Sequence, residues 1–288
     1  MMGGRLIPNL SICVPTYDRD PFLQWTLDKT VADFPDAKVI VSDNGKTKVV
    51  PPGRYIRQGT NIGAFPNMRA ALLAASTKYC VYLGDDDYML PAEVYKGVEF
   101  LEANPEVAIY FAPCQLYDQV NDKSEWDAFY VAEDRTITKP EDLWNFVIQN
   151  HVWPEHAIYR RKGLEAILHP RLRAYWCFAD LANAFAQGPV HFAKMPYYRN
   201  ITNHPVGPRG KLGDAQCLTD FDQYQFGLEV LAHDLFINHL EQPDLKRNVN
   251  AQIRQFLYAR VEVAHRILLA QNRHAEAAEY HKRLTIWR

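Results

Sequence analysis

The sequence predicts an α/β fold, a mixed, mostly parallel sheet with a helical C-terminal region, and three observations carry that reading. The first half alternates short apolar runs with amphipathic helical patterns, the mark of strands joined by crossover helices. Those runs end in clusters of Pro, Asp, Asn and Gly, which gathers polar side chains at one end of a sheet. From residue 220 onward strand-like runs stop and helical spacing takes over.

Residues 10–14 (LSICV) form the first strand, stopped by Pro15, and Phe22, Leu23, Leu27 and Val31 mark one face of the helix after it. Residues 37–41 (AKVIV) make the second strand, which ends in the turn cluster Ser42-Asp43-Asn44-Gly45. A short third strand at 55–57 precedes Asn61-Ile62-Gly63, and a helix follows at about 66–75. Residues 79–83 (YCVYL) are a strongly apolar strand that runs straight into Gly84-Asp85-Asp86-Asp87. Pro91 then opens a helix reaching about residue 104, and 107–112 is the next strand. Between 113 and 213 the pattern is less regular, with strands expected near 129–131 and 152–159 and a helix near 178–187. Beyond it, Phe221, Tyr224, Leu228, Leu231 and Leu235, then Ile253, Phe256, Leu257, Val261, Ala264 and Leu268, lie near helical spacing.

The chain has 288 residues, 48% hydrophobic and 23% charged, enough apolar material for a sizeable core and too much for disorder. Thirty-two Lys plus Arg against 34 Asp plus Glu leave a formal net charge of −2, which argues against a protein whose main business is gripping a nucleic-acid backbone. No stretch nears the roughly 18 uninterrupted apolar residues of a spanning helix. The first 14 residues lack a signal peptide's apolar core, so a cytoplasmic location is expected. Five scattered cysteines with no CxxC pair read as reduced thiols, Cys13 and Cys80 as core fillers.

Three consecutive aspartates at a buried strand end are the sharpest chemical signal. Adjacent carboxylates repel, and one neutralises by a raised pKa unless a cation compensates. Oxygen-rich clusters of this kind suit Mg2+ or Mn2+, whose other positions take water and phosphate oxygens. An acidic turn capping the next helix is the bland alternative. The carboxyl end of a central strand, where open α/β sheets bind ligands, favours a site.

Taken in order, SICVPTYDR, VIVSDN, NIGAFPN and YCVYLGDDD resemble the nucleotide-sugar-binding half of the family 2 glycosyltransferases, which have the GT-A fold. The resemblance implies an inverting, metal-dependent transferase that uses a nucleoside diphosphate sugar of the UDP, GDP or dTDP type, with Mn2+ or Mg2+ as cofactor. It places base and ribose over Pro15, Thr16, Tyr17 and Asp43, with Asn67 and Arg69 on the helix face nearby. Asp87 is the expected metal ligand, joined by Asp85 and His204, while Asp85 or Asp86 contacts the ribose, an assignment that stays open between the two. Many relatives carry aspartate at the position matching Gly84, which leaves a one-residue slip open as well.

The resemblance continues more faintly through Cys177-Phe178-Ala179-Asp180-Leu181 and Met195-Pro196-Tyr197-Tyr198-Arg199 to His204. It makes Asp180 the general base for the acceptor hydroxyl, with Glu155 as nearest competitor; Ala179 stands where the family commonly has a second acid. Arg209 and Lys211, in a Gly-rich loop, suit a lid over a departing diphosphate. Trp153, Glu155, His156 and Trp176 fall where the family's acceptor cleft lies. The expected division is a transferase domain over 1–213, its donor half about 1–112 and acceptor half about 113–213, and a helical region over 214–288. That region is read as serving homo-oligomeric assembly or acceptor positioning. Its basic residues Lys246, Arg247, Arg254, Arg260, Arg266 and Arg273 leave peripheral contact with the inner face of a membrane open. The expected acceptor is a carbohydrate or a lipid-linked one, in polysaccharide or glycoconjugate synthesis. The alternatives are a sugar nucleotidyltransferase, which usually has a Gly-rich, Lys/Arg-bearing loop that Pro15-Thr16-Tyr17-Asp18-Arg19 is not, and a non-catalytic nucleotide-sugar-binding or assembly protein.

Overall fold

The computed structural model describes residues 9–171, 174–208, 221–237 and 242–286. In chain order the strands are β1 (Leu10–Thr16), β2 (Lys38–Asp43), β3 (Arg54–Arg57), β4 (Tyr79–Tyr82), β5 (Tyr88–Met89), β6 (Ile109–Phe111), β7 (Cys114–Asp118), β8 (Lys123–Asp127), β9 (Arg135–Ile137), β10 (Ala157–Arg160), β11 (Val190–Phe192) and β12 (Tyr198–Asn203). The helices are α1 (Asp20–Asp33), α2 (Ala64–Leu73), α3 (Pro91–Ala103), α4 (Pro140–Gln149), α5 (Leu164–Ile167), α6 (Trp176–Phe185), α7 (Phe221–Phe236), α8 (Pro243–Ala270) and α9 (His274–Ile286).

An eight-stranded sheet has the order β3-β2-β1-β4-β10-β6-β11-β9. β1 pairs in parallel with both β2 and β4, and β2 with β3, so the carboxyl ends of this block open on one side. β10 enters antiparallel between β4 and β6. Every residue from Leu10 to Val14 is fully buried, as a central parallel strand covered on both faces requires, and this is why β1 reads as a continuous apolar run. Cys13 and Cys80 sit in adjacent strands as core fillers, their thiols pushed up by burial, that of Cys80 to about 12. A second sheet, β5-β12-β7-β8, starts directly after the acidic triplet, where β5 pairs antiparallel with β12.

The chain divides into two compact units. The first takes Met1–Thr138, Pro154–His169 and Asn183–Arg209 and holds both sheets; the second takes Lys139–Trp153, Pro170–Ala182 and Gly210–Arg288. The helical unit therefore draws on more than the C-terminal stretch. α4 belongs to it because Leu143, Trp144, Phe146 and Val147 are buried there, and Trp144 Nε1 donates to Gln252 Oε1 of α8 at 2.7 Å. Tyr224, Leu228, Leu231, Ile253, Phe256, Leu257, Val261 and Leu268 are buried, in accord with their helical spacing. The strand expected near 129–131 does not form: Phe129 and Val131 are buried in irregular chain, and the strands there are the earlier β7 and β8. Three of the basic residues in α8 and beside α9 pair with acids three or four positions away, Arg247 with Asp244, Arg266 with Glu262 and Arg273 with Glu276. Among the described residues no helix is long and apolar enough to cross a membrane.

Two buried histidines make the first unit acid-sensitive. His191 packs against Phe100 with the rings tilted and their centroids 3.8 Å apart, its Nδ1 lies 2.9 Å from Thr136 Oγ1, and burial pulls its pKa from 6.5 to about 4. Burial takes His156 to about 3. The unfolded chain takes up these protons below about pH 6.5 while the folded chain does not. Stability is therefore complete above that pH and is lost as the pH falls toward 4. Urea unfolding should lose about 2–3 kcal/mol per histidine between pH 7 and 4.5, and His191→Phe, which keeps the aromatic packing, should have the shallower slope. Equal slopes for the two proteins would contradict the assignment.

Candidate active site

The carboxyl end of β4 delivers Asp85, Asp86 and Asp87 into the protein with exposures of only 6%, 4% and 5%. Two carboxylates about 4 Å apart repel by about 4 kcal/mol at an effective dielectric of 20, so the cluster needs compensation. The end of β1 supplies it. Thr16 Oγ1 donates to Asp85 Oδ2 at 2.7 Å. Arg19 Nη1 lies 3.1 Å from Asp85 Oδ1, and its Nη2 pairs with Asp86. The guanidinium lies over the Phe22 ring, 4.8 Å from the centroid. α1 begins at once, with Pro in its first turn, and its buried Thr26 donates to the Asp85 carbonyl at 3.0 Å.

Asp87 turns the other way, toward β12. Tyr198 Oη donates to its Oδ2 at 2.7 Å and the Ile201 amide to its Oδ1 at 3.0 Å, while the Gly84 amide donates to Tyr198 Oη at 2.9 Å. Burial, then the Asp87 charge, holds the Tyr198 phenol well above its ordinary range, so it remains a donor. The His156 ring stacks on Tyr198 with centroids 3.7 Å apart. A Cβ at Gly84 would stand 2.7 Å from Asp87 Oδ2 and 3.1 Å from Tyr198 Oη. Glycine at this position is thus what lets Asp87 fold back, and the loop as built has no room for an aspartate there.

On the side expected to hold base and ribose, Asp43 is fully buried and accepts from the Gly45 amide at 2.7 Å, the Thr47 amide at 3.2 Å and Tyr55 Oη at 2.7 Å. It closes the loop after β2. Asn67, 2% exposed, donates to the Thr16 and Ser42 carbonyls and accepts from Ser42 Oγ, pinning the ends of β1 and β2 to α2. Pro15 and Arg69 are half-buried, and Tyr17 is 51% exposed at the end of β1. Asp43 and Asn67 therefore shape the frame, Tyr17 faces outward from it, and Arg19 turns its guanidinium onto the acidic loop.

His204, buried, accepts the Val206 amide on Nδ1 at 3.1 Å and lies edge-on to Phe22 and Trp25. Among the described residues no three His, Cys, Asp or Glu side chains converge to hold an ion, so the expected trio Asp85, Asp87 and His204 is not gathered. The strand-end carboxylates nevertheless match a hard divalent ion in chemistry, and among the described residues Arg19 is a cation paired with Asp85 and Asp86. Glu155 is half-buried just ahead of β10, and its charge helps to raise the Tyr82 hydroxyl. Asp180, Trp153 and Trp176 belong to the second unit. Asp180 lies within α6 and is 1% exposed. Trp153 packs among Tyr175, Phe178, Tyr224 and Phe256, a core role, and Trp176 is buried. Arg209 and Lys211 lie outside the described residues. Arg19 and Tyr198 are the participants that sequence reasoning passed over. The need of three strand-end carboxylates for a cation was the available signal, and it does not say which residue supplies the charge.

The family model described as glycosyl transferase family 2 matches residues 11–168. An uncharacterised protein of Mycobacterium bovis is 26% identical over 170 residues, 53% of this chain and 47% of its own length. A protein of Haemophilus influenzae described as an uncharacterised glycosyltransferase is 28% identical over 122 residues, 38% of this chain and 41% of its own. The chain thus spans about half the length of the curated relatives it matches. Among solved structures, S. aureus TarS 1-349 in complex with UDP-GlcNAc superposes with a TM-score of 0.59 at 14% identity, covering 94% of this chain and 89% of that one. A mannosyltransferase from Pyrobaculum calidifontis in complex with GDP-Man and Mn2+ gives 0.52 at 14% identity, covering 97% and 84%. The fold is the GT-A fold of these neighbours.

Tyr198→Phe should remove one donor to Asp87, which keeps the Ile201 amide, and the acceptor for the buried Gly84 amide. The expected cost is about 1–3 kcal/mol in denaturant unfolding. An unchanged midpoint would show that the phenol does not hold the acidic loop.

Proposed function

The chain belongs to glycosyl transferase family 2, and from that premise we propose that it moves a sugar from a nucleoside diphosphate sugar to an acceptor hydroxyl with inversion at the anomeric carbon. The observation that carries this reading is the aspartate cluster at the carboxyl end of β4, compensated by Arg19 and beside the exposed Tyr17. Tyr17 and Pro15 offer a surface at the strand end for a nucleobase, and the loop closed by Asp43 borders it. Asp85 and Asp86 are the groups we assign to the ribose and to a divalent ion, Mn2+ or Mg2+. Such an ion supplies positive charge that stabilises the leaving diphosphate.

Direct displacement requires the acceptor hydroxyl on the face opposite the leaving group, with a base to take its proton. Asp180 is assigned that role, and Glu155 is the alternative to be tested beside it; His156 is assigned to the acceptor side with Glu155. The packing of Trp153 and Trp176 supports a structural part for both. We assign the helical unit to oligomeric assembly. The acid pairing of Arg247, Arg266 and Arg273 favours that use over an anionic membrane surface. A cytoplasmic location, with a carbohydrate or lipid-linked acceptor, belongs to the same reading.

A thermal-shift panel of UDP-, GDP- and dTDP-sugars, with and without Mn2+, should raise the unfolding midpoint for one nucleotide class. With that donor, Asp180→Asn should lose about 100- to 10,000-fold in transfer while donor binding stays near wild type. Near-normal transfer by this variant, with a comparable loss in Glu155→Gln, would move the base to Glu155. Retained anomeric configuration in the product, read by NMR, would overturn the inverting reaction.

A further inference from the structure

The acidic loop of this structure is not an open site waiting for a cation. Asp85 Oδ1 is 3.1 Å from Arg19 Nη1, and Asp86 pairs with Nη2 of the same guanidinium. The two carboxylates are 8% and 5% exposed and the Arg19 side chain 24%, so these pairs are shielded from solvent far better than an ordinary surface ion pair. A guanidinium presents its donors in a rigid fork, and here the fork spans two neighbouring carboxylates. Phe22, in the first turn of α1, holds the cation from the other side at 4.8 Å. Asp87 is engaged by Tyr198 and the Ile201 amide, and His204 Nδ1 by the Val206 amide, so the carboxylates of the loop already have partners as it stands.

We propose that Arg19 is a resident counter-ion of the acidic loop, and that its guanidinium must leave Asp85 and Asp86 before either carboxylate can ligate a divalent ion. Metal loading is then an exchange of one cation for another. The balance of charge argues for this directly: two carboxylates cannot be fully shared between a fork-shaped monocation and a divalent ion that demands close oxygen ligands. The displaced guanidinium remains tethered beside the loop by its own backbone, three residues beyond Thr16, and is available to an anionic diphosphate arriving there. Arg19 is thus a positioning residue that sets how tightly the loop takes metal. The inference deepens the transferase reading and rests on it for the identity of the incoming ion.

The test is a Mn2+ titration without nucleotide, followed by the EPR signal of the free ion, on wild type, Arg19→Gln and Arg19→Lys. Gln removes the competing charge and should tighten Mn2+ binding by about tenfold, the size expected when a shielded charge-assisted pair no longer has to be broken. Lys keeps the charge but cannot span both carboxylates, and should fall between, about threefold tighter than wild type. A purely structural Arg19 predicts the reverse order, because a loosened loop binds metal more weakly. If Arg19→Gln fails to fold, Arg19→Lys decides the matter alone. Equal affinities in the folded proteins, weaker binding in the variants, or no binding by any of them would overturn the exchange. UDP and GDP binding are measured on the same samples: failure of both to bind, with or without Mn2+, counts against the donor reading and leaves the metal order to stand or fall separately.

Discussion

Three carboxylates buried at the end of one strand are the constraint on which the rest of the first unit depends. Left in low dielectric without partners they would not stay ionised, and the strand would not end there. Two different structures answer the problem. The amino-terminal segment answers for Asp85 and Asp86 with Thr16 and Arg19. The second sheet answers for Asp87 with Tyr198 and the Ile201 amide. Because β5 follows the triplet and pairs with β12, the same short stretch of chain that carries the charge also fastens the two sheets together. Fold and site cannot be varied independently at this point.

The motif residues divide by exposure. Asp43 and Asn67 are as characteristic of the pattern as Tyr17, yet both are buried and spend their hydrogen bonds on amides and carbonyls of β1, β2 and the loops after them. Parallel strands that end together leave backbone groups with no ladder partner, and short polar side chains are the means of satisfying them. A residue can therefore mark a binding site by shaping its rim. The distinction matters for substitution experiments, where loss of Asn67 would act on the positions of two strand ends and loss of Tyr17 on an open surface.

Legibility in the sequence followed burial. β1, β2 and β4 are covered on both faces and read as unbroken apolar runs, and α1 to α3 carry proline or apolar periodicity to announce them. β5 has two residues and β9 and β11 three each, too few to establish a period, and β12 carries Arg199, Asn200 and Asn203 among its apolar positions. α4 was invisible for another reason: its apolar face is matched to α7 and α8, which lie far along the chain. The aspartates announced a site because their chemistry demands compensation. The compensating Arg19 did not announce itself, since its partners are 66 and 67 residues away and nothing local distinguishes it from a solvated charge.

The bond from Tyr198 to Asp87 closes a separation of 111 residues. A ribosome adding about 5–20 residues each second leaves Asp87 without that phenol for about 5–20 seconds after the aspartate itself is made. Arg19, by contrast, is translated before any of the three acids. The nascent chain can therefore neutralise two of its charges from the amino-terminal side while the third stays hydrated, and the docking of β12 becomes a late, vectorial step. The acidic loop takes its final form only when most of the first unit has left the ribosome, so the part of the molecule richest in chemistry is also the last to be silent in water.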